Sequence, residues 1–410
     1  MSSSETSALT SLKKRLPEKE FIALFALMTS LTALTMDAVL PAFPSITDAF
    51  NIADYHQTQW IVTGLVFGMV FGEIIFGPLS DAIGRRKTIL IGISVYALGT
   101  VIAMTAQSLP ILLLGRVIQG IGVAGPKIAS RALIRDLYKG AAMARIMSYV
   151  MVIFIFVPML APWFGQKVML LGGWRWIFVA FLIQATVATL WLILRQQETL
   201  PKAQRQPLQP ARLIRDALGI FKRIDVMCYI GITGCVFSGL LLYLSIAQSI
   251  FQDIYGTGDN FPLYFALLSC GAGVASFTNG SFVMRLGMAL LVKSALCLLA
   301  GTALVMLASA LLHQGVPPLW LFLALGILVF FCQGVLFGNI NAMAMEPLGR
   351  TAGLGAAIVS ASSSLIGVVF SSLVGLFYHD SVTPLACGFL IFSSTSLVLL
   401  FIARRYPSAE

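Results

Sequence analysis

Charged residues are scarce in this chain of 410 residues: Asp, Glu, Lys and Arg make up 11% of it, whereas 58% of the residues are hydrophobic. Soluble domains carry about 25% charged residues. A soluble fold of this length has too little interior to bury so much apolar surface, so the surrounding medium must be lipid. The composition therefore predicts an all-α membrane protein.

Histidine and clustered cysteine are also scarce. The three His, at 56, 313 and 379, fall at expected helix ends, and the six Cys are spread singly through apolar runs of the second half. This spacing fits neither metal ligands nor a disulfide framework, so we expect no metal or other cofactor. A membrane-embedded enzyme would need clustered His, Cys or paired carboxylates at one depth, and a channel would need a ring of pore-lining charge. We expect neither.

Positive charge exceeds negative charge, and the formal net charge is +10. The Lys and Arg residues lie between apolar runs and form no continuous basic face, which argues against a nucleic-acid partner. We expect twelve transmembrane helices of about twenty residues, the length that crosses a bilayer. With both termini cytoplasmic, all but four of the 27 Lys and Arg residues fall on the cytoplasmic side, as the positive-inside bias requires.

The expected helices form two pseudo-symmetric six-helix bundles. We expect a cytoplasmic tail at 1–20, a first bundle at 21–195, a polar cytoplasmic linker at 196–224, a second bundle at 225–403 and a tail at 404–410. The first tail lacks a small-residue cleavage site, which favours a retained segment over a signal peptide. GPLSDAIG at 77–84 aligns weakly with GSFVMRLG at 280–287. Two related halves are typical of secondary transporters.

Four ionisable residues lie at membrane depth, all of them in the first half: Asp37, Glu73, Arg116 and Lys127. Charges are costly at this depth, so each residue is a functional candidate. Ser30 and Ala33 share the helical face of Asp37, which predicts a small, polar stripe along a cavity. There Asp37 could exchange a proton between the two sides of the membrane, and a bound cation would displace that proton. Alternatively, Asp37 lies near the outer interface or caps a neighbouring helix.

Arg116 and Lys127 lie about 20° apart around their helix, so both are expected to face the interior of the first bundle. There Arg116 could keep Asp37 ionised. Lys127 either lines the transport path or extends to the cytoplasmic interface. Glu73 is either a second proton site or an anchor for the loop that follows it.

The stretch GEIIFGPLSDAIGRRK, at 72–87, turns from apolar to charged. Its glycines and Pro78 predict a tight loop between two helices. Asp81 is expected to cap a neighbouring helix while pairing with an arginine, which would form a latch. The stretch resembles the loop between the second and third helices of major facilitator superfamily transporters. That resemblance assigns a gating loop to five residues: Gly77, Asp81, Gly84, Arg85 and Arg86.

LGRVIQGIG, at 114–122, resembles the fourth-helix motif of the same superfamily, in which the arginine is tied to proton coupling. Arg116 and Gln119 match that motif. MDAVLPAFP, RALIRDLY and AMEPLGRTAGLGAA, which begin at 36, 131 and 344, resemble the bicyclomycin and chloramphenicol resistance branch of drug/proton antiporters. The sequence departs from the pattern of this branch in two places. Both affect what the resemblance implies about the direction of exchange and the preference for cationic drugs. Ala161 and Trp163 stand where these antiporters usually have glycine, and Thr29 stands where some have a second acid.

The second half has no charge at membrane depth, so its candidates for substrate contact are polar or aromatic: Tyr229, Tyr243, Gln333 and Asn339. The first half adds Asp37, Ser30, Ala33, Gln119 and Lys127. We expect a proton-coupled exporter of small amphipathic or lipophilic drugs, acting as a monomer in the bacterial inner membrane. Its proton-coupling residues would be Asp37, Arg116 and Glu73. The alternative is an exporter of one metabolite or siderophore on the same fold.

Overall fold

Long helices make up most of the protein. The structure, a computed structural model, describes residues 16–52, 56–138, 140–205, 207–346, 348 and 352–405. Residues 1–15 and 406–410 of the two expected tails lie outside the described residues. Within the described residues, twelve helices have 20 residues or more.

The first half contains α1 (Glu18–Asp37), α2 (Phe43–Phe50), α3 (His56–Ile83), α4 (Arg85–Met104), α5 (Leu109–Leu137), α6 (Gly140–Met169) and α7 (Arg175–Arg195). A short 3-10 turn (Leu40–Ala42) joins α1 to α2. The first long helix was predicted to continue to residue 43, but α1 ends at Asp37. Pro41 explains the early end, because proline has no amide hydrogen to donate to the Asp37 carbonyl.

The linker contains a 3-10 turn (Lys202–Gln204) and helix α8 (Pro210–Phe221). The second half then contains α9 (Ile224–Ser249), α10 (Phe261–Leu286), α11 (Met288–Leu312), α12 (Leu319–Met345), α13 (Ala352–Gly375) and α14 (Thr383–Arg405). A π-helical turn (Ile250–Ile254) continues α9. Proline at the start of α8 is favourable, because the first amides of a helix have no intrahelical acceptor.

Among the described residues, ten helical stretches are long and apolar enough to cross a membrane. The two other long helices, α6 and α10, have 30 and 26 residues. Large apolar side chains on the outer faces are exposed, including Leu114 (55%), Leu304 (57%) and Phe401 (63%). Such surfaces suit lipid and would promote aggregation in water. The protein is therefore a multi-pass membrane protein, while the count of twelve spans and the cytoplasmic termini stay predictions.

The same set of helix contacts occurs in each half. In the first half, α1 packs against α6 and α7, α5 packs against α3 and α4, and α4 packs against α7. In the second half, α9 packs against α13 and α14, α12 packs against α10 and α11, and α11 packs against α14. The repeated pattern gives each half the arrangement of one six-helix bundle, which is typical of transporters with internal repeats.

Two seams join the halves. Along one seam α3 packs on α13, with Gly77 beside the Ala357 side chain and Gln59 beside Gly375. Along the other α6 packs on α10, and Gln166 Nε2 donates a hydrogen bond to Asp259 Oδ1 (3.2 Å). The α9 helix also contacts α3 and the Leu40–Ala42 turn. We call the end of the molecule that carries residues 196–209 the linker end.

The turn between α3 and α4 is much shorter than predicted, because Gly84 alone separates the two helices. Gly77, Pro78 and Asp81 lie inside α3, so their assignment to a loop was wrong. Pro78 removes one backbone hydrogen bond, a loss that packed membrane helices tolerate. Gly84 has φ +104°, in the left-handed region that favours glycine, so it makes the whole turn.

Candidate functional site

Asp37 is buried at the C-terminal end of α1, with 3% of its surface exposed. Its Oδ1 atom is buried and accepts no hydrogen bond. Burying a polar atom without a partner is costly, so such an atom in a native fold calls for an explanation. Ser30 and Ala33 are also buried, but Ser30 Oγ accepts a hydrogen bond from Gln184 Nε2 (2.9 Å) of α7. Ser30 therefore belongs to the contact between α1 and α7.

Tyr243 of α9 brings the second half to Asp37. Tyr243 is 1% exposed, its hydroxyl group has no hydrogen-bond partner, and it interacts electrostatically with Asp37. Gln248, five residues further along α9, is also buried, and both of its amide atoms lack partners. Asp37, Tyr243 and Gln248 thus present unused hydrogen-bonding atoms on elements that pack together across the two halves. Gln248 is not among the residues predicted from the sequence, although an amide side chain at the end of an apolar run was an available signal.

Arg116 is fully buried in α5 and uses its guanidinium group to join three helices. Its Nη2 donates to the Thr35 carbonyl of α1 (3.0 Å), and its Nε donates to the Ile61 carbonyl of α3 (2.9 Å). Its Nη1 donates to Gln119 Oε1 (2.7 Å), and Gln119 Nε2 donates to Thr100 Oγ1 of α4 (2.8 Å). Among the described residues Arg116 makes no ion pair with Asp37, so any influence of Arg116 on the ionisation of Asp37 would act without direct contact. The reason is that neighbouring backbone carbonyls and Gln119 occupy its donors.

A second polar contact in the same region is formed by Thr35 and Tyr96, whose hydroxyl oxygens lie 2.7 Å apart. Both residues are fully buried. Tyr96 and Thr100 lie four residues apart and therefore on one face of α4. Neither residue is among those predicted from the sequence, although their spacing of four positions on one helix was an available signal.

Glu73 and Lys127 form a buried ion pair between α3 and α5. Lys127 Nζ lies 2.5 Å from Glu73 Oε1; the Glu73 side chain is fully buried, and that of Lys127 is 21% exposed. Glu73 Oε2 is buried and has no hydrogen-bond partner. Arg131, one helical turn beyond Lys127, also interacts electrostatically with Glu73. Lys127 therefore pairs within the first half, and both of its expected roles, along the transport path or at the cytoplasmic interface, stay predictions.

The arginine latch is present at the linker end, but with more partners than predicted. Arg85 Nη1 donates to Asp81 Oδ1 (2.5 Å), and Arg85 Nε donates to Asp136 Oδ2 of α5 (2.9 Å). The backbone amides of Arg85 and Arg86 donate to Glu198 Oε1 (2.9 Å) and Oε2 (3.2 Å). Glu198 thus caps α4, and the expected capping role of Asp81 was wrong, since Asp81 lies in the last turn of α3.

The other second-half candidates lie in different places. Tyr229 is half-buried in a small cluster with Ala344 and Leu348, and its 14-residue separation from Tyr243 corresponds to about 21 Å along α9. Tyr229 and Tyr243 therefore cannot contact the same small substrate group. Asn339 Nδ2 donates to Asn279 Oδ1 of α10 (2.7 Å), and Gln333 packs beside Gly239 with its Oε1 unpaired. Of these candidates, the structure brings Tyr243 to Asp37.

A cavity of about 550 Å³ opens in the seam between α6 and α10. Trp163, Lys167, Asp259 and Leu263 are among its lining residues. Trp163 is one of the two departures from the glycines expected in the fifth long helix. The cavity includes none of the candidate proton-coupling or substrate-binding residues, so it is separate from the surroundings of Asp37.

A membrane protein with two similarly packed halves, seams between them and a buried unpaired acid where they meet has the architecture of a secondary transporter. The chain belongs to the Major Facilitator Superfamily, whose family profile matches residues 25–371. This result confirms the superfamily resemblance of the two motifs in the first half.

Among curated proteins, the chain is 26% identical over 388 residues to a bicyclomycin resistance protein homolog of Haemophilus influenzae, covering 94% of this chain and 95% of the relative. It is 24% identical to multidrug resistance protein D of Escherichia coli, covering 88% and 89% of the two chains. The relatives agree with the drug/proton antiporter group that the motifs resemble.

Solved structures show the same fold at low identity. A peptide transporter crystallised with sulfate has a TM-score of 0.76 at 14% identity, covering 96% of this chain and 95% of that chain. A D-xylose–proton symporter has a TM-score of 0.72 at 16% identity, covering 94% and 97%. At this low identity, the similarity to these solved structures shows a shared fold alone.

Proposed function

We propose that the protein exports small amphipathic or lipophilic drugs in exchange for protons, by alternating access between the two sides of the membrane. The observation that carries the proposal is the buried, unpaired carboxyl oxygen of Asp37 at the end of α1, just before the Leu40–Ala42 turn that contacts α9. The names of the bicyclomycin and multidrug resistance relatives support the choice of drugs as substrates.

In this proposal Asp37 exchanges a proton for the substrate. A buried carboxylate without a partner is costly, so Asp37 carries a proton when substrate is absent. A cationic or hydrogen-bond-donating substrate supplies the missing partner and releases that proton. The free hydroxyl group of Tyr243, which interacts electrostatically with Asp37, then offers a further hydrogen bond from the second half. The substrate would thereby bridge both bundles.

Arg116 takes a positioning role in this mechanism. It binds the Thr35 carbonyl two residues before Asp37, and it also binds α3. It therefore fixes the end of α1, where the helix stops, without neutralising the acid. Glu73 is the second proton-coupling candidate, because its Oε2 atom is also buried and unpaired.

Alternating access would require the halves to rock along the α3–α13 and α6–α10 seams. At the linker end, the ion pairs of Arg85 with Asp81 and Asp136 and the cap provided by Glu198 hold α3, α4, α5 and the linker together. We assign this network to the gate. The linker end would face the cytoplasm, because most Lys and Arg residues fall there in the twelve-span topology.

The protein would act as a monomer in the bacterial inner membrane. One chain supplies both halves and every residue of the proposed site, so a second copy is not required for transport. The bacterial relatives, including a protein of Escherichia coli, support this membrane assignment.

The test compares proton-driven uptake of a fluorescent lipophilic cation, ethidium, into inverted membrane vesicles. We expect Asp37→Asn to abolish accumulation driven by a pH gradient, because Asn cannot exchange a proton. Asp380→Asn is the matched control, since Asp380 is exposed and lies outside the long helices. Equal accumulation by the parent protein and Asp37→Asn would contradict the role of Asp37.

A further inference from the structure

We propose that Lys127 binds the carboxylate group of an amphipathic substrate in exchange for Glu73, so that the substrates include monoanions and zwitterions. This inference rests on the proposed transport function and adds a second substrate class with the opposite coupling, because the carboxylate and a proton would bind together. The juxtaposed groups are the Lys127 ammonium group, the buried Glu73 carboxylate and the neighbouring Arg131.

The partial exposure of Lys127 is on the side of α5 away from lipid. Leu114 is 55% exposed and marks the lipid-facing side of α5. Lys127 follows Leu114 by 13 residues, which at about 100° per residue places it about 140° away around the helix. On that side α5 packs against α3, and the Glu73 side chain is fully buried. Lys127 is thus accessible from the protein interior.

The pair has unused capacity for an acidic ligand. A lysine ammonium group has three donors, and one of them points to Glu73 Oε1. Two cations, Lys127 and Arg131, act on the one carboxylate of Glu73. The flexible lysine side chain can turn to a substrate carboxylate without moving the backbone.

Exchange would transfer a proton to Glu73. When Lys127 turns to the substrate, Glu73 becomes a fully buried carboxylate with Oε2 unpaired, a state that a proton relieves. The substrate carboxylate binds to Lys127 without a covalent bond, and one proton from the solvent forms the O–H bond of a protonated Glu73. Binding of a carboxylate therefore takes up a proton, whereas binding of a cation at Asp37 releases one.

Few other ionisable groups on the elements around α3 could produce this proton uptake. The sequence of α13 contains none, and α9 carries Asp225 and Cys228 near its start, with Tyr229, Cys235 and Tyr243 further along. The α4 helix has Arg85, Arg86 and Lys87 at its start and Tyr96 inside, whereas α5 has Arg116, Lys127, Arg131, Arg135 and Asp136. Among the described residues, Lys127 pairs with Glu73 and Arg131 interacts electrostatically with it.

The experiment uses three matched fluorescent probes: dansylglycine, which carries a carboxylate, dansylglycinamide, which is neutral, and dansylcadaverine, which is a cation. Binding to the full-length protein in lipid nanodiscs is titrated from mildly acidic to mildly alkaline pH. We expect the parent protein to bind dansylglycine more tightly than dansylglycinamide, and this preference to grow as the pH falls.

Glu73→Gln removes the competing carboxylate while keeping its shape. We expect this variant to bind dansylglycine about tenfold more tightly than the parent, as when one competing charge-assisted hydrogen bond is lost, and with little pH dependence. The double variant Glu73→Gln with Lys127→Met removes both charges, and it should lose the preference for dansylglycine over dansylglycinamide.

Two results would overturn the inference: a parent protein that does not prefer dansylglycine at mildly acidic pH, or a Glu73→Gln variant whose affinity for it does not rise. The first result is measured on the parent protein, so it tests the inference even if the variants misfold. Proton-driven uptake of dansylcadaverine by the parent tests the underlying transport function separately. Uptake of this cation without preferential binding of dansylglycine would contradict the role of Lys127 alone.

Discussion

Replacing Arg116 by lysine tests whether this residue acts through its shape or through its charge. Lysine keeps the positive charge at the centre of the first half but lacks the planar fork of donors. In the structure that fork donates to the backbone carbonyls of Thr35 and Ile61 and to Gln119. One ammonium group cannot reach all three acceptors, so we expect Arg116→Lys to be strongly destabilised.

The magnitude follows from the hydrogen bonds that are lost. A hydrogen bond to a charged group contributes about 1.5–3 kcal/mol, and a buried carbonyl left without a donor adds its own desolvation cost. If lysine keeps one of the three contacts, the free energy of unfolding falls by about 3–6 kcal/mol. Because the lost contacts fix the end of α1, proton-driven transport should fall as well.

The assay is thermal unfolding of the purified protein in detergent, together with proton-driven uptake in vesicles. Arg195→Lys is the matched control, because Arg195 makes a two-pronged ion pair with Glu20 (2.7 Å for both contacts) at an exposed position. Exposed pairs contribute little, so this control should melt close to the parent. An Arg116→Lys protein with parental melting temperature and transport would refute the reasoning and assign Arg116 a purely electrostatic role.

Two further predictions concern helix packing and the gate. An added Cβ at Gly120 would overlap the Leu65 carbonyl oxygen, so Gly120→Ala should lower the free energy of unfolding by about 1–3 kcal/mol in thermal or denaturant unfolding. Gly301→Ala, with open space around the new methyl group, should instead be neutral or stabilising, and equal melting of the two variants would contradict the packing argument. Glu198→Gln removes the charged cap of α4, so trypsin should cleave the linker at Lys202 faster than in the parent; unchanged cleavage would show that this cap does not hold the linker.

The sequence was sufficient to predict the long helices and the small set of charged residues at membrane depth. Both follow from local physics, because long apolar runs are stable in lipid and an ionisable side chain within such a run is costly. The pairing of Glu73 with Lys127 was also within reach, because two opposite charges buried at similar depth lower each other's cost. The seams between the halves required the structure, since contacts between residues as far apart as Gln166 and Asp259, or Gln59 and Gly375, leave no periodic signal in a single chain.

The surroundings of Arg116 show why the rest could not be predicted. Two of its three acceptors are backbone carbonyls, a group that every residue carries, so no residue type marks them. From the motif we predicted that Arg116 could keep Asp37 ionised, and this stays a prediction. Glu198 was missed for a related reason: it lies in a polar linker, where an acid is ordinary, and its capping role depends on where the linker meets Gly84.

The two buried acids of the first half have opposite relations to charge, and this difference defines what the proposed transporter can accept. Within the described residues, Asp37 has an unpaired carboxyl oxygen and no paired cation, so a positively charged substrate would supply the missing partner. Glu73 already has Lys127, so a negatively charged substrate gains by taking that lysine. Arg116 lies between these positions on α5 and is committed to backbone carbonyls, so it neutralises neither acid. Cations and carboxylates would then enter one protein with opposite proton movements, and Tyr243 of the second half would supply a hydrogen bond to a substrate bound at Asp37.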